Sequence, residues 1–124
     1  MADTSRLRVL IADDYAPMAA ALERVVSSDC DVVGRLTDGS SLLAETKRLQ
    51  PDILLLDLHL PNVNSLSACK EIRRTIPCTR VIVLTGGLDP DLRPTVLAAG
   101  ASAFIDKAAA PQDLLTAIAD TQRS

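Results

Sequence analysis

The sequence predicts a single three-layer α/β domain: a five-stranded parallel sheet with five helices packed on its two faces. Three observations carry that expectation. Short β-branched runs alternate with longer amphipathic runs five times along the 124 residues, and consecutive β-α units with right-handed crossovers place helices on both sides of a sheet. No linker, low-complexity stretch or repeat longer than one β-α unit interrupts the alternation. The length is that of one ordinary domain, enough to bury roughly two-thirds of the surface exposed by the unfolded chain, and too short for a closed eight-stranded barrel.

The elements follow in order. Leu7–Ala12 reads as the first strand, ended by Asp13-Asp14. From Ala16 to Ser27, Met18, Ala21, Leu22, Val25 and Val26 recur at helical spacing. Val32–Leu36 is the second strand. Gly39 to Gln50 is the second helix, with Leu42, Leu43, Thr46 and Leu49 inward and Pro51 as its stop. Ile53–Asp57 is the third strand, and Leu66, Cys69, Ile72 and Ile76 mark the third helix. Arg80–Thr85 is the fourth strand. A fourth helix runs from about Asp91 to Ala99, with Gly100 in the usual stop position. Ser102–Asp106 is the fifth strand, and Pro111 opens a last helix carrying Leu114, Leu115 and Ile118. Strands one, three and four are near-continuous Leu, Ile and Val, as buried strands are. Strand two carries Gly34 and Arg35, and strand five is short and small-residue-rich, so both are edges. The resulting order is 2-1-3-4-5, the flavodoxin-like arrangement.

Composition narrows the function. Apolar residues make up 48% and charged residues 23%, with 16 acids against 13 bases and a formal charge of −3, the balance of a soluble globular domain. Basic residues never cluster beyond a neighbouring pair, and Tyr15 and Phe104 are the only aromatics. A nucleic-acid surface wants a basic stripe and, for single strands, stacking rings, so this domain is not expected to bind nucleic acid directly. Apolar runs such as Ile53–Leu56 are far short of the ~20 residues that span a bilayer. The polar start, Met1 to Arg6, lacks the apolar core of a signal peptide. Cys30, Cys69 and Cys78 form no CxxC pair and read as reduced structural thiols. A cytoplasmic protein without membrane contact is expected.

In an open α/β sheet the site lies beyond the carboxyl ends of the strands, where the strand order reverses. That crevice falls between strands one and three. Strand one ends in Asp13-Asp14, strand three in Asp57, strand four in Thr85 and strand five in Lys107, one of three lysines. Singly, each has an ordinary reading: a turn aspartate, a β-branched strand end, a solvated loop lysine. Together they deliver three carboxylates, a hydroxyl and an ammonium to one rim. Asp57 follows four core residues, so its backbone is rigid. Holding it near Asp13 and Asp14 costs several kcal/mol of like-charge repulsion unless a cation intervenes or a proton is taken up. Hard oxygen donors with room for water suit Mg²⁺. The ring of His59, the only histidine, is expected on the loop surface, with its backbone carbonyl free to face the metal. A carboxylate nucleophile, a Mg²⁺ pair, a hydroxyl and a lysine describe phosphoryl transfer onto an aspartate. Gly86, lacking a side chain, leaves the phosphoryl group room. With neither GxxxxGK[ST] nor GxGxxG present, the phosphate must come from a donor.

Four motifs, "LIADDY", "LLLDLHLP", "VIVLTGG" and "AFIDK", resemble those of a CheY-like receiver domain of a two-component response regulator, in order and over nearly the whole chain. The segment "AGASAFIDKAAAPQDLLTAI" is further similar to NarL/LuxR-type receivers, with Pro111 four residues after the lysine. The resemblance implies a receiver spanning residues 1–124 without an output domain in this chain. It makes Asp57 the phospho-acceptor, Asp13, Asp14, Asp57 and the His59 carbonyl the Mg²⁺ ligands, Lys107 and Thr85 the catalytic partners, and Thr85 with Phe104 the switch pair. The implied partners are a histidine kinase or phosphotransfer protein and a helix-turn-helix output domain outside the chain, and phosphorylation-dependent homodimerisation is allowed. The domain would catalyse only its own phosphorylation and dephosphorylation. Four positions depart from the family pattern. Ser65 replaces a frequent Gly, Asn64 a frequent Asp, Phe104 the commoner Tyr, and Ala108 the Pro of a frequent Lys-Pro pair. Strain or a different turn is expected near Ser65, and an inward ring at Phe104. The alternatives are a pseudo-receiver that docks without phosphorylation, a haloacid-dehalogenase-like phosphatase, whose second Asp is replaced by His59, and a flavin carrier, which the lack of aromatics disfavours.

Overall fold

Side chains on a strand point alternately to its two faces, and that alternation sorts the core into two halves. Val9 and Ile11 of strand β1 (Leu7–Ala12) face one way, Leu10 and Ala12 the other. The computed structural model describes residues 6–87, 90–109 and 112–121. Within it β1, β2 (Cys30–Leu36), β3 (Ile53–Asp57), β4 (Arg80–Thr85) and β5 (Ala103–Asp106) form one parallel sheet of order β2-β1-β3-β4-β5. Helices α1 (Ala16–Val26) and α5 (Gln112–Thr121) cover the face of Val9, Ile11, Leu55, Ile82 and Ile105. Helices α2 (Leu42–Leu49), α3 (Ser65–Thr75) and α4 (Arg93–Ala98) border the face of Leu10, Leu54, Leu56, Val83 and Phe104. All five residues of β3 are buried, which is why its sequence is an unbroken apolar run.

The expected elements are present, with shifts that have local causes. β2 starts at Cys30 rather than Val32, because Cys30 and Asp31 already pair with Leu7 and Arg8, and a bulge between Val9 and Leu10 takes up the extra residue. α2 begins at Leu42 rather than Gly39, since residues 39–41 form a turn in which the Leu42 amide donates to the Gly39 carbonyl. The inward stripe of α2 is Leu42, Thr46 and Leu49; Leu43, expected inward, is exposed. In α1 Ala19 is the fully buried alanine of the stripe. α2 ends at Gln50 in the left-handed region (φ 49°), because the following Pro51 disfavours helical backbone there. The fourth helical region opens as a 3₁₀ turn over Pro90–Leu92 and is α-helical only over Arg93–Ala98. It stops at Gly100, whose φ of +108° and close approach to Arg73 (2.3 Å from a built Cβ to Cγ) leave no place for a side chain. Pro111 lies outside the described residues. Cys30 and Cys69 are buried, and desolvation raises both thiol pKa values, which keeps them protonated and inert. Cys78, expected to be structural, is exposed in the turn before β4. Among the described residues no helix is long and apolar enough to cross a membrane.

Candidate functional site

The sheet register brings the acids together. Ala12 pairs with Leu56, so the next residues, Asp13 and Asp57, leave adjacent strands side by side. Both are turn residues as well as site residues. One oxygen of each carboxylate accepts the backbone N–H two residues on: Asp13 Oδ1 from Tyr15 (2.9 Å) and Asp57 Oδ1 from His59 (3.0 Å). Each turn spends one oxygen and aims the other into the cleft. There the Lys107 ammonium lies 2.7 Å from Asp13 Oδ2 and 3.4 Å from Asp57 Oδ2. Lys107 reaches them from the 3₁₀ turn Lys107–Ala109 that follows β5 directly. Asp14 completes the cluster: one oxygen from each of Asp13, Asp14 and Asp57 lies within 4.8 Å of the others, with Asp13 and Asp57 buried and Asp14 exposed.

Three carboxylates against one ammonium leave the cluster two charges negative in a partly buried setting. Asp13 Oδ2 is fully enclosed, and the Lys107 ammonium stands against it. Burial works against the charged ammonium of Lys107, but the hydrogen bond and charge of Asp13, with the charge of Asp57, outweigh it. The pKa is raised above the ordinary lysine value of 10.5. A buried carboxylate oxygen facing two further acids fits a divalent metal ion, and the all-oxygen donor set selects a hard one. His59 is exposed, as expected for its ring, and lines the rim beside Leu58, Asn64 and Leu92.

Thr85 and Phe104 lie on β4 and β5, on the far side of β3 from β1. Thr85 ends β4, is buried, and its hydroxyl is engaged only loosely with Gly87, at 3.3 Å to the carbonyl and 3.4 Å from the amide. Among the described residues, a Cβ on Gly86 or Gly87 would meet nothing within 4 Å. Phe104, on β5, pairs with Val83 of β4 and is 2% exposed, the inward position expected of it.

Two contacts had no counterpart in the sequence reading. The Arg93 guanidinium at the start of α4 sits over the Phe104 ring, 5.6 Å from its centroid, a pairing of residues eleven apart that only the tertiary fold creates. The Ser65 hydroxyl, buried at the first turn of α3, donates to the Asp57 carbonyl at 2.8 Å. The strain expected near Ser65 is absent there: Asn64 is a regular N-cap with extended backbone, accepting from the Ser67 amide. The left-handed residue of this loop is Asn62 (φ 65°), and Asn tolerates that region. Asn-Ser before an apolar stripe is a helix-start signal that fits this cap without strain.

The family profile described as response regulator receiver domain matches residues 9–119. The chain belongs to that family. Relatives include the transcriptional regulatory protein YxjL of Bacillus subtilis, 29% identical over 91% of this chain and 53% of that protein. Response regulator UvrY of Escherichia coli is 29% identical over 90% of this chain and 52% of its own length. The chain thus spans about half the length of these curated relatives. Among solved structures, the NarL signal receiver domain from Mycobacterium tuberculosis superposes with a TM-score of 0.89 at 25% identity, covering 97% of this chain and 98% of that one. The isolated receiver domain of RcsB from Salmonella enterica, with phosphomimetic BeF₃⁻, gives 0.87 at 27% identity over 97% and 91%. The resemblance to NarL-type receivers and the strand order 2-1-3-4-5 are both borne out.

Proposed function

We propose that this receiver domain accepts a phosphoryl group on Asp57 in a Mg²⁺-dependent reaction, and that the modification alters the face formed by α4, β5 and their flanks. The observation that carries the reading is the convergence of Asp13, Asp14, Asp57 and Lys107, from three strand ends, on one cleft. A docking module that is never phosphorylated would keep the fold without needing this costly concentration of like charge.

The donor is a phosphohistidine on a kinase or phosphotransfer protein. The Asp57 carboxylate oxygen that the turn does not use attacks phosphorus as the P–N bond breaks, and that bond's electron pair returns to the imidazole. The turn that ties Asp57 Oδ1 to the His59 amide holds the nucleophile in a fixed orientation before the donor arrives. Lys107 offsets negative charge on the phosphoryl oxygens, and Thr85 donates its hydroxyl to one of them. Asp13, Asp14, Asp57 and the His59 carbonyl would hold Mg²⁺, which when bound neutralises charge on the transferring group. The aspartyl phosphate adds one to two negative charges and strong acceptor oxygens; Thr85 and Lys107 turn toward them, and Phe104 follows into the space vacated. Turnover stays confined to the domain's own phosphate.

RcsB from Salmonella enterica has been solved bound to promoter rprA in the presence of phosphomimetic BeF₃⁻, and YxjL is described as a transcriptional regulatory protein. By that likeness this receiver works in the cytoplasm and governs a helix-turn-helix DNA-binding output, with phosphorylation-dependent pairing of two receivers as one route. Incubation with acetyl phosphate and Mg²⁺ tests the chemistry: wild type should incorporate acid-stable, base-labile phosphate and Asp57→Asn none. Equal incorporation in both would refute the acceptor.

A further inference from the structure

Between β3 and α3 the chain runs from Asp57 to Ser65, carrying both the acceptor and the His59 carbonyl. This loop is pinned at its ends and its middle. At its ends, the Asp57 carbonyl receives two donors, the Leu60 amide at 3.2 Å and the Ser65 hydroxyl at 2.8 Å. At its middle, the Pro61 carbonyl accepts from the Gly39 amide at 2.7 Å, and Val63 lies so close to Gly39 that a Cβ there would stand 2.1 Å from it. Ser65 is 4% exposed, and its hydroxyl reaches back eight residues to the acceptor's own backbone rather than to its helix.

We propose that Ser65 is a positioning residue for the cation site. Its hydroxyl closes the loop into a hydrogen-bonded ring, fixing the acceptor peptide and with it the direction of the Asp57 carboxylate and the His59 carbonyl. This inference rests on the reading of the cluster as a Mg²⁺ site. Loss of the hydroxyl leaves the Leu60 bond in place, so the loop survives but spans a wider set of conformations. Ligands that must converge on a small octahedral ion then lose preorganisation, and cation affinity falls while the chemistry of the bound state persists.

A matched control exists at the opposite end of the sheet. The buried Thr79 hydroxyl, just before β4, donates to the Pro51 carbonyl at 2.6 Å, the same kind of bond far from the carboxylates. Titration calorimetry with MgCl₂ alone, on Ser65→Ala and Thr79→Val beside wild type, separates positioning from general stabilisation. Ser65→Ala should weaken Mg²⁺ binding about fivefold, the effect of one lost hydrogen bond, and raise by the same factor the Mg²⁺ concentration for half-maximal labelling by acetyl phosphate. The labelling rate at saturating Mg²⁺ should stay near wild type. Thr79→Val should lower the melting temperature without moving Mg²⁺ affinity. Equal Mg²⁺ affinity in wild type and Ser65→Ala, or an equal loss in both variants, would overturn the inference. Normal Mg²⁺ binding with no labelling of wild type would sink the phospho-acceptor reading and leave the Ser65 comparison intact.

Discussion

On the β1–β3 side of the cleft, Asp13 and Asp57 are each fixed twice, one oxygen in a backbone turn and the other facing Lys107. On the β4–β5 side, the contacts of the Thr85 hydroxyl among the described residues are the long ones to Gly87, and Phe104 is capped by an exposed arginine. The supporting helices differ in the same sense. α3 buries Ser65, Ala68, Cys69 and Ile72, whereas α4 buries only Val96. Apolar burial is worth about 25 cal/mol per Å², so α3 is anchored far more firmly than α4. Under the proposed function, the acceptor Asp57 falls on the stiff half, where geometry must not drift, and the responding face falls on the half that is cheaper to rearrange.

The largest expected effect comes from removing the cation that faces both stiff carboxylates. Lys107→Ala leaves Asp13 enclosed without its cation and should cost about 3 kcal/mol in metal-free buffer at neutral pH, read as a drop in the urea midpoint. The pH dependence has a definite sign. Because the folded pKa of Lys107 is raised above 10.5, its stabilisation is fully present below the unfolded value and is lost as pH rises through the folded one. The gap between wild type and Lys107→Ala should therefore hold through neutral pH and close in strong alkali. A gap that instead closed near pH 7 would show that the ion pair is not its source.

Metal binding gives the next effect. At a Mg²⁺ concentration one hundred times its dissociation constant, wild type should gain about 2.7 kcal/mol. Asp14→Asn should lose most of that gain and little metal-free stability, since Asp14 is exposed. Thermal melts with and without MgCl₂ measure both. On the looser half the numbers shrink. Arg93→Ala removes a cation–π contact worth about 1 kcal/mol or less and should speed hydrogen exchange in β5 without altering Mg²⁺ binding. Thr85→Val gives up the long hydrogen bonds to Gly87 and should change stability by about 0.5 kcal/mol, while blunting the change in β5 exchange on adding beryllofluoride. A destabilisation by Thr85→Val as large as that by Lys107→Ala would erase the distinction between the two halves.

Much of the stiff half was legible in the chain. Four apolar residues before Asp57 implied a strand buried on both faces, and strand order then put Asp13 beside it; both follow from local pattern and crossover handedness. Lys107 was legible only in combination, since a lysine after a short strand becomes informative when three acids share its rim. The looser half was harder to read. The 3₁₀ start of α4 and the Arg93–Phe104 contact depend on how a short, weakly amphipathic segment meets β5, which no periodicity encodes. Leu43 fell outward because the inward stripe of α2 is narrow: Leu42, Thr46 and Leu49 hold the positions expected of them, and Leu43, one residue round the helix from Leu42, lies outside it. Ser65 stood out as a departure from the family pattern, but the partner of its hydroxyl depends on the path of the whole loop.

The proposed function requires acids from neighbouring strands to grip a divalent cation beside one reactive carboxylate. Borohydride reduction of the acyl phosphate formed from acetyl phosphate, followed by peptide sequencing, tests it directly. Reduction confined to position 57 and requiring Mg²⁺ is the predicted result; reduction at another residue, or at position 57 with the metal chelated, would contradict it.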